Sequence, residues 1–297
     1  MRCGCVLQCT AVQAREIPVT DPSLLPVLTR IADALDRLAP PPRPVWDLST
    51  SRLFRCDGES LALATAPDYP LPVDLLLGVD RQKRIFQANL DRFARGLPAN
   101  AALLWGARGT GKSSMVKAAF MAAAKDHPHL RLIEIEADDL AALPRLFSAL
   151  RTVPEQVVVF CDDLSFEEGA GTAKALKSAL EGGVAGPPAN VLFVATSNRR
   201  HLMPREHASD DAIAAAEDAE ETVSVSDRFG LWIGFPPMDQ PTYLSAVTAY
   251  AAKAGLTAPD LERRALQWAI QRGGRSGRVA MQFIRDLAGE QGKPLPF

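Results

Sequence analysis

A lysine that ends a glycine-rich turn and is followed by a hydroxyl side chain is equipped to hold phosphate. The run Gly106-Ala107-Arg108-Gly109-Thr110-Gly111-Lys112-Ser113-Ser114 has this form, with Gly106, Gly111, Lys112 and Ser113 at the spacing G-x-x-x-x-G-K-[ST]. The glycines let the backbone curl so that its N–H groups point inward, making a concave anion nest at the positive end of the helix that follows. Lys112 then has the reach to sit against the β- and γ-phosphates, and Ser113 offers its hydroxyl to Mg²⁺.

Phosphoryl chemistry also needs acids, a water-positioning group and cations. The apolar run Val157-Val158-Val159-Phe160-Cys161 ends in Asp162-Asp163, about fifty residues after the turn. The run reads as a buried strand whose end presents Asp162 to the metal, directly or through water, and Asp163 to the attacking water. Glutamate is commoner at the second position. The shorter Asp163 sets the base back by about one methylene, so hydrolysis is slow on this reading, or Glu167 or Glu168 contributes. A second apolar run, Val191 to Thr196, ends in Ser197-Asn198, where Asn198 either holds water or reads the γ-phosphate. The other reading of Asn198 is a plain turn former. Arg228 precedes the apolar run Leu231 to Phe235 and either enters a neighbouring copy's site or makes an edge salt bridge. Arg278, one residue after Gly277, is the candidate for sensing nucleotide, while Arg285 is expected on the far, solvated face of the same helix.

These groups are positioned by alternating strands and helices, which imply an α/β fold with a mainly parallel sheet covered on both faces. Helices are expected at Arg81 to Arg95, Met115 to Lys125, Leu140 to Leu150 and Lys174 to Leu180, with strands leading into the phosphate turn and at Leu130 to Ile135. After Pro236-Pro237 the period is helical throughout, at Gln240 to Ala254, Pro259 to Gln271 and Ser276 to Leu287, which predicts a small helical lid. The expected division is an accessory segment over 1–72, a nucleotide-binding core over 73–237 and a lid over 238–297. Within the first segment Leu24 to Leu38 has helical spacing, ended by Pro40-Pro41-Pro42, and Trp46 to Ala64 contains short strands or a further helix. The segment recruits a partner, contacts a neighbouring subunit or covers one edge of the core.

With 297 residues the chain can hold one large or two moderate domains, and its formal net charge of -2 gives no global reason to expect nucleic acid or an anionic membrane as partner. No run approaches the ~20 apolar residues of a membrane span, and no secretory leader pattern opens the chain, so a cytoplasmic protein without membrane contact is expected. Cys3, Cys5 and Cys9 lack a second ligand pair at zinc spacing, and Cys161 lies inside an apolar run as a small hydrophobe. The acidic stretch between Glu206 and Glu221 has little to bury and reads as a solvated insertion. The basic trio Arg199, Arg200 and Arg205 beside it reads as solvated surface rather than a DNA edge.

The order of phosphate turn, Asp162-Asp163, Asn198, Arg228 and lid with Arg278 resembles the AAA+ ATPases. There these positions are the Walker A, Walker B, sensor 1, arginine finger and sensor 2 elements. More narrowly, the blocks around Leu103–Ser114, Phe160–Phe166, Ala195–Leu202 and Ser226–Trp232 are similar to the bacterial family called domain of unknown function 815. The resemblance covers about residues 73 to 290. It implies ATP on the loop with Mg²⁺, Gly78-Val79 near the base, a homo-oligomer, and a protein or nucleic-acid client. A module that binds ATP with little hydrolysis is the alternative, and a nucleotide kinase is disfavoured by the lid and Arg228.

Overall fold

Apolar runs as continuous as Val157 to Cys161 have no polar alternation to face water, so each must be covered from both sides. The computed structural model, which describes residues 25–31, 46–69, 71–164, 176–177, 179–180, 186–198 and 228–297, shows how this is done. Five such runs are parallel strands: β3 (Ala102–Gly106), β4 (Leu130–Ile135), β5 (Gln156–Cys161), β6 (Val191–Ser197) and β7 (Leu231–Phe235). A hairpin of β1 (Leu53–Cys56) and β2 (Leu63–Ala66) joins them through a parallel ladder from β1 to β4. The resulting sheet of seven strands among the described residues has the order β2-β1-β4-β5-β6-β3-β7.

Strand β5 shows the double burial directly. Val158 and Phe160 belong to one apolar cluster, and Val157, Val159 and Cys161 to another on the opposite face. The first cluster takes helices α1 (Asp80–Ala94) and α2 (Lys112–Asp126) through Phe86, Leu90, Met115 and Phe120. The second takes α3 (Leu143–Leu150) through Leu146, Phe147 and Leu150.

The last three helices, α4 (Gln240–Lys253), α5 (Leu261–Gln271) and α6 (Gly277–Glu290), share the first cluster through Tyr243, Val247, Phe283 and Ile284. Their starts follow local chemistry. Asp239 accepts from the Thr242 N–H at the head of α4, and Ser276 accepts from the Val279 N–H at the head of α6. The buried Tyr243 hydroxyl donates to the Ala265 carbonyl at 3.0 Å and ties α4 to α5. No helix among the described residues is long and apolar enough to cross a membrane.

The chain divides into two units, residues 1–43 and 44–297. Of the first, a short helix over 25–31 is described, and the rest of the helix expected to Leu38 lies outside the described residues. In the second, Trp46 to Ala64 forms strands, not a further helix, and these strands extend the sheet. The core therefore begins well before residue 73.

Candidate nucleotide site

The phosphate turn is a backbone structure that only its glycines permit. Gly106, Gly109 and Gly111 have φ of 142°, 77° and 97°, in the region that side chains disfavour. At Gly106 a Cβ would also meet the Phe235 carbonyl oxygen of β7 at 2.4 Å. Thr110 donates to the Ala107 carbonyl at 2.9 Å and closes the turn. Lys112, the first residue of α2, is 4% exposed, and its Nζ donates to Gly106 O, Ala107 O and Asn198 Oδ1 at 2.9, 2.9 and 2.8 Å. Burial lowers its pKa below the ordinary 10.5, and the nearby Asp163 and Asp162 oppose that shift.

The acids emerge from the end of β5, beside the loop. Ser113 Oγ donates to Asp162 Oδ1 at 2.6 Å, joining a loop residue to a strand-end carboxylate. Thr196, buried on β6, donates its hydroxyl to the same Oδ1 and accepts from the Asp163 N–H at 2.9 Å. Asp163 adopts φ 56°, a left-handed conformation open to aspartate, which turns its carboxylate back over the cleft. There the Asn198 amide donates to Asp163 Oδ1, and Arg108 lies 3.9 Å from Oδ2. Asn198 thus bridges Lys112 and Asp163.

The lid closes the other wall. The N–H of Gly277 donates to the Gly109 carbonyl at 3.1 Å, so the head of α6 rests on the phosphate turn. A Cβ on Gly109 would come within 2.9 Å of Ser276 Oγ. Between loop, acids and lid lies a cleft of about 540 Å³, within the range of small-molecule sites. Lys112, Ser113, Ser114, Gly109, Gly111, Asp162, Asp163, Asn198 and Arg278 all line it.

Two placements differ from expectation. Arg285 lines the cleft rather than the far face, because residues 278, 281, 282 and 285 fall on one stripe of a 3.6-residue helix. That spacing is visible in the sequence and signals the stripe. Gly78 and Val79 are not among the cleft's lining. Gly78 instead packs on Thr242 of the lid, and Val79 is buried at the head of α1, while Leu71 and Leu76 reach the cleft. Arg228 is exposed and precedes β7, whose first residue pairs with Ala102 at the start of β3, so it lies about a strand's length (~15 Å) from its own phosphate turn. Glu167, Glu168, Arg199, Arg200, Arg205, the acidic stretch 206–221 and Cys3, Cys5 and Cys9 lie outside the described residues.

Sequence reasoning missed Thr196, Tyr69, Tyr250 and Phe297. Tyr69, in the stretch before α1, donates to Ser114 Oγ at 2.9 Å, and the Tyr250 and Phe297 rings are 5.9 Å apart. No local pattern marks these residues, which the fold gathers from four separate segments.

Among solved structures, the chain is similar to the Aeropyrum pernix Orc1 protein in complex with DNA, at 18% identity and TM-score 0.53, covering 76% of this chain and 62% of that one. The chain therefore spans less than two thirds of the Orc1 protein. It is also similar to the Thermotoga maritima RuvB Holliday junction branch migration motor (14% identity, 74% of this chain and 72% of that one, TM-score 0.41). A further similarity is to a chain of the Escherichia coli MS115-1 HORMA:CdnC:Trip13 complex (12% identity, 74% and 93%, TM-score 0.47). No curated protein matches. The mostly parallel sheet flanked by helices matches the AAA+ P-loop fold. Residues 50–291 match the family described as protein of unknown function (DUF815), and the chain belongs to that family.

Proposed function

We propose that this DUF815 member binds ATP with Mg²⁺ in the cleft, hydrolyses it when copies of the chain assemble, and acts on a protein or nucleic-acid client. The contact between Ser113 Oγ and Asp162 Oδ1 carries the reading, because it brings a loop hydroxyl and a strand-end carboxylate together beside a buried lysine. These are hard oxygen donors, which suit Mg²⁺. Bound there, Mg²⁺ supplies charge neutralisation at the β- and γ-phosphate oxygens.

On this reading the N–H groups of residues 106–114 cradle the phosphates, and Lys112 exchanges a loop carbonyl for a phosphate oxygen. Asp163 accepts the proton of the attacking water while Asn198 orients it. Arg278 approaches the phosphates from the lid, and Arg228 enters the site of an adjacent copy, where it offsets charge in the transition state. The lid over 238–297 moves against the core and passes the change to the client. DNA is named with Orc1, so nucleic acid is one client class to test.

One observation favours the second reading, a nucleotide-dependent binding module with little turnover. The Asp163 carboxylate is short and engaged by Asn198, with Arg108 nearby, so the base is held back. Steady-state ATPase activity against protein concentration separates the two. Assembly-dependent hydrolysis predicts turnover per chain that rises with concentration and is lost in Lys112→Ala and Arg228→Ala, with ATP binding kept in Arg228→Ala. ATP binding without turnover at any concentration leaves the binding module.

A further inference from the structure

Where α5 ends, the lid carries a second hollow, of about 330 Å³, that the nucleotide chemistry does not use. It is lined by Leu266, Ala269 and Ile270 of α5, by Gln240 at the head of α4, and by Gly274 and Arg275 of the turn into α6. Ile270 is 79% exposed, more than any other large apolar side chain among the described residues. Two cations stand beside it. Arg272 lies over the Trp268 ring, 4.9 Å from its centroid, and Arg275 reaches the Gln240 side chain at 3.5 Å. Asp239 is an electrostatic neighbour of Arg275, but its carboxylate already accepts from the Thr242 N–H at 2.9 Å as the cap of α4. An apolar floor with a cationic rim suits an apolar side chain that is flanked by acids.

The chain contains such a segment. Between Glu206 and Glu221 there are seven acids and no lysine or arginine. Ile213 is the one large apolar side chain of this stretch, with Asp210-Asp211 before it and Glu217-Asp218 after it. Position favours the stretch of a neighbouring copy. Arg275 directly precedes Ser276, which abuts Gly109 of the phosphate turn, so the cationic rim stands next to the nucleotide site. Arg228 of an adjacent copy is proposed above to enter that site, and the chain from 221 to 228 spans at most about 25 Å. A copy that inserts Arg228 therefore brings its acidic stretch to the lid it faces.

We propose that the acidic stretch 206–221 of one copy docks on the lid hollow of the next, with Ile213 against Leu266 and Ile270 and the flanking acids on Arg272 and Arg275. This joint rests on the assembly reading above. It gives the assembly a charge-matched contact outside the nucleotide site.

Sedimentation velocity of the full chain with Mg²⁺ and ATP tests it against two sets of substitutions. One reverses the lid, Arg272→Glu with Arg275→Glu, and the other reverses the segment, Glu217→Lys with Asp218→Lys. Each reversed chain alone is expected to self-associate about tenfold more weakly than wild type. An equimolar mixture of the two should assemble as wild type does, because each lid then meets a segment of opposite sign on its neighbour. A mixture no stronger than its components overturns the joint, and if one chain carrying both reversals is nevertheless restored, the contact lies within a single chain. A segment reversal that assembles like wild type also overturns it, because the lid then meets something else. If wild type does not self-associate at any concentration, the assembly reading fails and the joint with it. If wild type and both reversed chains assemble alike, the joint alone fails.

Discussion

Thr196 carries two contacts on one hydroxyl, donating to Asp162 and accepting from the Asp163 backbone at a position 1% exposed. Its hydroxyl holds both acids in place. Thr196→Val keeps the shape but takes one of two partners from the Asp163 N–H, which keeps Asp162 Oδ1 at 3.1 Å, and one from Asp162, which keeps Ser113, at a cost of about 1 kcal/mol. The magnesium concentration that half-saturates nucleotide binding should rise about tenfold in Thr196→Val and return in Thr196→Ser, as read by fluorescent-nucleotide titration. A stability loss without a shift in the magnesium requirement would make Thr196 merely structural. Thr196 was hidden in the sequence because the run from Val191 reads as a uniformly buried strand, and what its hydroxyl meets depends on β5 lying alongside. Lys112, Ser113 and Asp162 were legible, because each sits at a chain position whose local geometry dictates where its side chain points.

Elements were read best where their ends carry their own chemistry. The heads of α4 and α6 fall next to Asp239 and Ser276, and the β4 and β7 strands have the expected bounds. The partner of β1 was not legible: β1 pairs with β4, far along the chain, and strand order is settled by packing rather than by local pattern. Contacts between elements were hidden for the same reason. Gly78 has φ 74°, and a Cβ there would sit 2.4 Å from Thr242 Cγ2 on α4. Gly78→Ala should therefore destabilise the fold by about 1–3 kcal/mol, part from the backbone and part from the clash. Adding Thr242→Ser removes the methyl and should recover the clash share alone, which denaturant melts of both single variants and the double variant will show. Additive losses would mean that the two residues do not meet.

For the whole molecule, two close approaches between core and lid decide how the second can move on the first. At one, Gly78 abuts Thr242 near the head of α4, and at the other, Gly109 abuts Ser276 and holds the Gly277 N–H at the head of α6. The last three helices also share the first apolar cluster with the core, so if they turn as proposed above, rotation about the line joining these two approaches is the expected motion, with a displacement that grows with distance from that line. Helix α6 has 14 residues, so its far end stands about 21 Å from its head, and a 10° turn carries that end about 4 Å. Paired spin labels joining the core to residue 290 should report a larger change on adding nucleotide than a pair ending at residue 279. Equal shifts at both positions would mean translation rather than rotation. On that reading a small rearrangement where α6 rests on Gly109 becomes a larger displacement at the far end of α6.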